Sequence, residues 1–165
     1  MERNLILTPI EIEHKIKRIA YQIYETFSGE KEIIIAGING NGYVFAQKIA
    51  QVLNNITTIK TLVCIVKINK KKPMDKIETS LKTEQYTNKN VVLIDDVLHS
   101  GITLIYGVKH FLETPLKALK TAVLVDRNHK KFPIKIDFKG LSLSTSLQEH
   151  VSVSFEKDDL GVYLS

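Results

Sequence analysis

A single cysteine, Cys64, means that no disulfide can close within the chain. It lies in the apolar run Leu62–Val66, the ordinary setting of a buried, unreactive thiol, so nucleophilic catalysis by Cys64 is not expected. No apolar stretch approaches the length needed to cross a bilayer, and Met1-Glu2-Arg3-Asn4-Leu5-Ile6 has no apolar core followed by a small-residue cleavage site. A cytoplasmic location without a membrane partner is the expectation. Aromatic residues are sparse, 7% of the chain, and nowhere arranged to stack nucleic-acid bases. Internal repeats are absent, as are low-complexity tracts outside one lysine cluster. What remains is a globular mixture: 165 residues, 44% hydrophobic and 25% charged, suit one domain over residues 1–165 with a single core. The formal charge of +5 would draw phosphates on a small substrate, a nucleic acid or a membrane surface, or simply serve solubility. Charge alone does not choose among these.

Along the chain, apolar period and turn chemistry alternate in a regular way. Thr8-Pro9-Ile10-Glu11 reads as a capping box with proline in the first helical position. Ile12, Ile16, Ile19, Ile23 and Phe27 continue it at helical spacing, and Gly29 is the expected stop. Ile33-Ile34-Ile35-Ala36 reads as a strand buried on both faces, followed by glycines and a helical period from Tyr43 to Leu53. The cycle repeats with strands at Leu62–Ile68, Val91–Ile94 and Thr121–Val125 and a helix at Thr103–Leu112, which argues for an α/β fold with a parallel sheet. Toward the end, Ile134–Phe138, Val151–Phe155 and Val162–Leu164 alternate apolar with polar and are expected as antiparallel or edge strands. Residues 69–88 are polar, lysine-rich and without period, so a functional lid or a flexible excursion is expected there.

The strand Val91–Ile94 delivers Asp95 and Asp96 at its carboxyl end, where open α/β sheets bind ligands. One carboxylate of such a pair can orient the vicinal hydroxyls of a sugar, and the other can hold Mg²⁺ directly or through water. His99-Ser100-Gly101-Ile102-Thr103 then leads into a helix: glycine permits close backbone approach, the hydroxyls donate, and the helix start presents free amides. That combination makes a phosphate cradle beside a sugar site. Paired aspartates also follow strands in response-regulator-like and phosphatase-like folds, but those place the acids after the first strand and lack this glycine-threonine loop.

The whole segment Val91–Thr103 resembles the signature of the type I phosphoribosyltransferases, with Ser100 in the usual threonine position. The resemblance extends to Ala122–Ile134, to Asp137-Phe138-Lys139-Gly140, to Ser144-Thr145-Ser146 and to Arg18-Ile19-Ala20. These stretches look like the pyrimidine-operon attenuation regulator and uracil phosphoribosyltransferase family. The resemblance implies the type I fold, a parallel sheet flanked by helices with a small C-terminal hood. It implies binding of 5-phosphoribosyl 1-pyrophosphate with Mg²⁺, a pyrimidine base or uridine nucleotide as partner, transfer of phosphoribose to uracil, and a homodimer. Asp95, Asp96 and His99 would be the catalytic residues, and Asp95 and Asp96 the metal-binding ones. The 5′-phosphate would lie on His99, Ser100, Gly101, Ile102 and Thr103, the pyrophosphate on Ile38, Asn39, Gly40, Asn41 and Gly42, and the base on Val125, Asp126 and Arg127. Messenger RNA is the alternative partner, since regulatory members of the family bind it.

Three stretches depart from the family pattern, the first of them on the pyrophosphate side. The turn Gly37-Ile38-Asn39-Gly40-Asn41-Gly42 lacks the arginine usual there, Ile102 stands where arginine is frequent, and Ile68-Asn69-Lys70 replaces a Tyr-Arg-Asp run. Loss of a charged donor from a polyanion site weakens it by about 1.5–3 kcal/mol. Lys70, Lys71 and Lys72 either compensate by folding over the pyrophosphate, form a solvated charge run, or touch RNA phosphates. His99 has two readings: a base that removes a proton from the pyrimidine, or a ring that covers the phosphate loop. His129 is expected as a surface or hood residue, and His14, His110 and His150 carry no expected role.

Overall fold

In the computed structural model, which describes residues 3–165, the first helix begins where its capping box puts it. Met1 and Glu2, the start of the N-terminal stretch read above, lie outside the described residues. Thr8 Oγ1 accepts from the Glu11 amide and the Glu11 carboxylate accepts from the Thr8 amide, opening helix α1, Pro9–Thr26. Ile12, Ile16, Ile19 and Ile23 form its buried stripe, and the chain leaves through Gly29 at φ +87°.

Strand β1 is Asn4–Leu7, and five parallel strands form the main sheet: β2 Glu32–Ile38, β3 Lys60–Lys67, β5 Asn90–Leu98, β6 Ala118–Arg127 and β7 Phe138–Leu143. A two-residue strand β4, Glu78–Thr79, pairs antiparallel with β3, giving the order β4-β3-β2-β5-β6-β7. Parallel neighbours need crossovers, supplied by α2, Asn41–Ile56, and α4, Ile102–Phe111, with a single-turn helix α3 at Thr83–Tyr86. Helices α1 and α2 cover one face and α3 and α4 the other. Successive residues of β2 therefore bury alternately, Ile33 and Ile35 in one core, Ile34, Ala36 and Ile38 in the other. A second sheet, β1-β9-β8, joins β1 to the C-terminal strands β8, Val151–Ser154, and β9, Gly161–Leu164, all antiparallel. Leu7, Val151, Val153 and Val162 seat this hood on the α1–α2 core. No helix among the described residues is long and apolar enough to cross a membrane.

Three expectations are corrected. The alternating run Ile134–Phe138 is mostly irregular: the strand starts only at Phe138 and pairs parallel with β6, at the edge of the main sheet as expected. Thr121 caps the irregular stretch instead, its amide donating to Asp137 Oδ2 at 3.0 Å and its hydroxyl to the Lys135 carbonyl at 2.5 Å. Residues 69–88 are not structureless, because β4 and α3 lie within them. Ile77 and Leu81 pack on the core there, and Tyr86 is buried edge-on to Phe111 at 5.1 Å. Strand β1 was not expected at all. Asn4 and Leu5 are exposed and only Leu7 is buried, so the segment becomes a strand by pairing with β9.

Candidate active site

Strand β2 adjoins β5, yet its crossover leads to β3 on one side while that of β5 leads to β6 on the other. Two parallel neighbours whose connections diverge leave a crevice at their carboxyl ends. Pairing between them stops at Gly37–Ile94, whereas β5 stays paired with β6 through Asp95 and on to Leu98. The crevice is a cavity of about 270 Å³. Asp95, Asp96 and the run His99–Thr103 line it from the main sheet, Lys70 from the loop after β3, and His150 from the hood.

Asp95 is buried against the start of α2. A Cβ on Gly42 would lie 2.8 Å from Asp95 Oδ1, so glycine is what lets the helix approach. Asp95 Oδ1 accepts from the Asp96 amide at 2.9 Å and lies 3.5 Å from Lys70 Nζ. Its carboxyl is pushed up to about 8, first by burial and then by the Asp96 charge, with Lys70 opposing both. A pair held this way favours a cation. No group of three or more His, Cys, Asp and Glu among the described residues could hold a metal, so the pair offers two carboxylates and no closed cage. That donor set fits Mg²⁺, which keeps several waters and binds through one or two carboxylates plus substrate phosphate.

The loop after β5 turns at Gly101, φ +87°, where an added Cβ would come within 2.8 Å of Ile134 Cγ2. Ser100 fixes it from both sides. Its hydroxyl accepts from the Ile102 amide at 3.3 Å, and its carbonyl accepts from the Lys131 and Phe132 amides at 2.9 and 3.1 Å. The remaining first-turn amides of α4 have no intrahelical partner, as at any helix start. Gly101→Ala is expected to cost about 1–2 kcal/mol for the left-handed backbone alone, with the Ile134 contact adding to it, read as a lower midpoint in urea.

The turn 38–42 is occupied with its own structure. The Asn39 amide donates to the Val66 carbonyl at 2.9 Å and Asn39 Oδ1 accepts from the Ile68 amide at 3.0 Å. Asn41 Nδ2 donates to the Val153 carbonyl at 2.8 Å, tying α2 to the hood, and Asn41 alone of the five lines the cavity. Of the three lysines only Lys70 does; Lys71 and Lys72 are exposed, their amides held by Asn69 Oδ1.

Val125, Asp126 and Arg127 do not line the cavity. Val125 is core, and Asp126 is buried with Oδ2 at 3.1 Å from Lys139 Nζ and 3.9 Å from Lys130 Nζ. Arg127 donates to Thr145 Oγ1 at 2.9 Å, to the Ser146 carbonyl at 3.2 Å and to His99 Nδ1 at 3.2 Å. It reaches the cavity only through His99. His129 is exposed and packs its ring nitrogen on the Thr145 carbonyl in the loop between β7 and β8. His150, given no role from the sequence, stacks on His99 with ring centroids 5.2 Å apart and planes 5° from parallel. Nothing local marked it, because the contact exists only once the hood folds over β5. Cys64 is buried, which pushes its thiol up and away from reactivity.

A switch-point crevice lined by paired aspartates and a glycine-turned helix start is the frame of a phosphoribosyl-transferring protein. The Phosphoribosyl transferase domain family matches residues 6–158, and the chain belongs to that family. Within it, the Bifunctional protein PyrR of Limosilactobacillus reuteri is 31% identical over 93% of this chain and 92% of its own length. That of Brevibacillus brevis is 31% identical over 97% and 94%. In fold, the chain is similar to a crystal structure of a hypoxanthine-guanine phosphoribosyltransferase from Bacillus anthracis, TM-score 0.76 at 22% identity, covering 98% of this chain and 95% of that one. It is likewise similar to a hypoxanthine phosphoribosyltransferase of Trypanosoma cruzi, TM-score 0.77 at 15% identity, with coverages of 98% and 95%.

Proposed function

We propose that the protein transfers phosphoribose from 5-phosphoribosyl 1-pyrophosphate to uracil with Mg²⁺, giving UMP. The observation that carries this reading is the joining of Asp95 and Asp96 to the His99–Thr103 loop in one cavity. The 5′-phosphate sits on the amides and hydroxyls of Ser100, Gly101, Ile102 and Thr103 at the start of α4. Asp95 and Asp96 hold the ribose hydroxyls and supply the carboxylates for Mg²⁺. When bound, the metal offsets the charge of the leaving pyrophosphate. Asn41, at the mouth of the turn 38–42, and Lys70 face the pyrophosphate side. A uracil nitrogen bonds to the anomeric carbon as the bond to pyrophosphate breaks, and the uracil N–H proton passes to the departing pyrophosphate or to water. Fixed donors and carboxylates around the anomeric carbon stabilise the positive charge that develops on the sugar. Arg127 backs His99 on the base side, and the resemblance supports action as a homodimer. The experiment is release of pyrophosphate from uracil and phosphoribosyl pyrophosphate with Mg²⁺. Turnover is expected, and its absence with uracil and every other common base overturns the reading.

A second reading is favoured by the pyrophosphate side. No arginine stands in the turn 38–42, Asn41 is engaged by Val153, and Lys70 is drawn to Asp95. A nucleotide-binding regulator with weak transfer would tolerate such a site. It predicts that UMP raises the melting temperature while turnover stays negligible, and that RNA binding, dependent on the nucleotide, falls with salt.

A further inference from the structure

The ring of His99 is held on two sides by groups that leave it one chemical role. A guanidinium carries only donors, so the 3.2 Å contact from Arg127 to His99 Nδ1 requires that nitrogen to be an acceptor. A neutral imidazole whose Nδ1 accepts carries its proton on Nε2. Arg127 is itself fixed, by the Thr145 hydroxyl and the Ser146 carbonyl, and it does not line the cavity. His150 covers one face of the ring, and its own position is set by reciprocal backbone bonds with Ser165. With Nδ1 turned to Arg127 and one face on His150, the Nε2 edge is what His99 offers the cavity. We propose that Arg127 is a positioning residue that locks His99 in its Nε2–H tautomer, making His99 a neutral hydrogen-bond donor to an oxygen of the bound ligand and not a base. The ligand assignment rests on the phosphoribosyl transfer proposed above. The tautomer does not.

Charge around the ring agrees with this geometry. Burial lowers the His99 pKa, His150, Arg127 and Lys70 lower it further, and only Asp96 pulls the other way. A ring that resists protonation and has Nδ1 already occupied has no vacant site for a proton from the base. The oxygen it meets belongs either to a pyrimidine carbonyl or to the 5′-phosphate, since His99 opens the phosphate loop and stacks toward the hood.

The test begins on the free protein, with long-range proton–nitrogen correlation of the histidine rings near pH 7. One Nε2–H tautomer is expected for His99, shifting toward a mixture in Arg127→Gln and restored in part by Arg127→Lys. An Nδ1–H tautomer or a charged ring in the wild-type protein overturns the proposal whether or not uracil turns over. Kinetics separate donor from base by size. His99→Phe is expected to lose roughly tenfold, and His99→Gln, which keeps an N–H donor, to recover part of that loss. Loss of a proton acceptor would cost roughly 10²–10⁴-fold in both variants, and that result also overturns the proposal. A rise in KM for uracil in His99→Phe assigns the oxygen to the base, and a rise in KM for phosphoribosyl pyrophosphate assigns it to the phosphate.

Discussion

Asp95→Asn is expected to make the protein more stable and almost inactive. The carboxyl of Asp95 is pushed up to about 8 because it is buried beside Asp96. An unfolded chain releases the same proton near the ordinary carboxylate value of about 4. Between those two pH values the folded state holds a proton that the unfolded state has lost, so stability falls as pH rises through the window. Below it, both states are protonated and the group is neutral to folding; above it, the full cost of a buried charge is present. Asparagine is uncharged throughout and can still accept from the Asp96 amide. Its advantage should therefore be near zero at pH 4, grow through neutrality and level off above pH 8. Substitution also removes the attraction to Lys70, which is about half exposed, so only part of the shift returns as stability. A gain of about 2 kcal/mol at pH 8.5 corresponds to roughly 4–8 °C in melting temperature for a chain of this size. Activity moves the opposite way, by roughly 10²–10³-fold, as for loss of one preorganised group facing developing charge. A variant less stable than the parent across this pH range would show that Asp95 is not held as a costly, function-directed acid.

The same residue shows how much the sequence discloses. Asp95 and Asp96 were legible because a two-faced apolar strand must end at the ligand-binding edge of a parallel sheet, and the chain that follows has the glycine and hydroxyls of an anion loop. Helix α1 was legible for a similarly local reason, since Thr8, Glu11 and the isoleucine period all act within a few residues. Strand β1 and the true start of β7 were not, because each depends on a partner strand distant in the chain. The alternation at Ile134–Phe138 mimicked a strand while its backbone was engaged by Thr121. The tie from Asn41 to Val153 spans 112 residues, and the pairing of His99 with Arg127 spans 28. Periodicity cannot report either one. His150 stayed silent for the same reason, and so did the pairing of Asp126 Oδ2 with Lys139 and Lys130, since neither lysine is marked by a local pattern.

Ile102→Arg is expected to lower KM for phosphoribosyl pyrophosphate by roughly tenfold to a hundredfold while leaving KM for uracil in place. Ile102 opens α4 and lines the cavity. Among the described lining residues Lys70 is the only lysine or arginine, and Asp95 already engages it. A polyanion entering this cavity thus meets two carboxylates and one partly committed ammonium. A guanidinium adds several donors in a planar fork suited to phosphate. One charge-assisted hydrogen bond is worth about 1.5–3 kcal/mol, and about 1.4 kcal/mol is a factor of ten in affinity. Against this, a cation at a helix N-terminus costs about 0.3–1 kcal/mol, so the substituted protein should melt slightly lower without ligand and markedly higher with it. The proposed 5′-phosphate cradle depends on the backbone around Gly101, which the substitution leaves intact, so UMP affinity should change less than that of phosphoribosyl pyrophosphate. An arginine that tightens UMP and phosphoribosyl pyrophosphate equally would put its contact on the 5′-phosphate. One that changes neither would remove the pyrophosphate from this mouth of the cavity and favour a site built to hold a nucleotide alone.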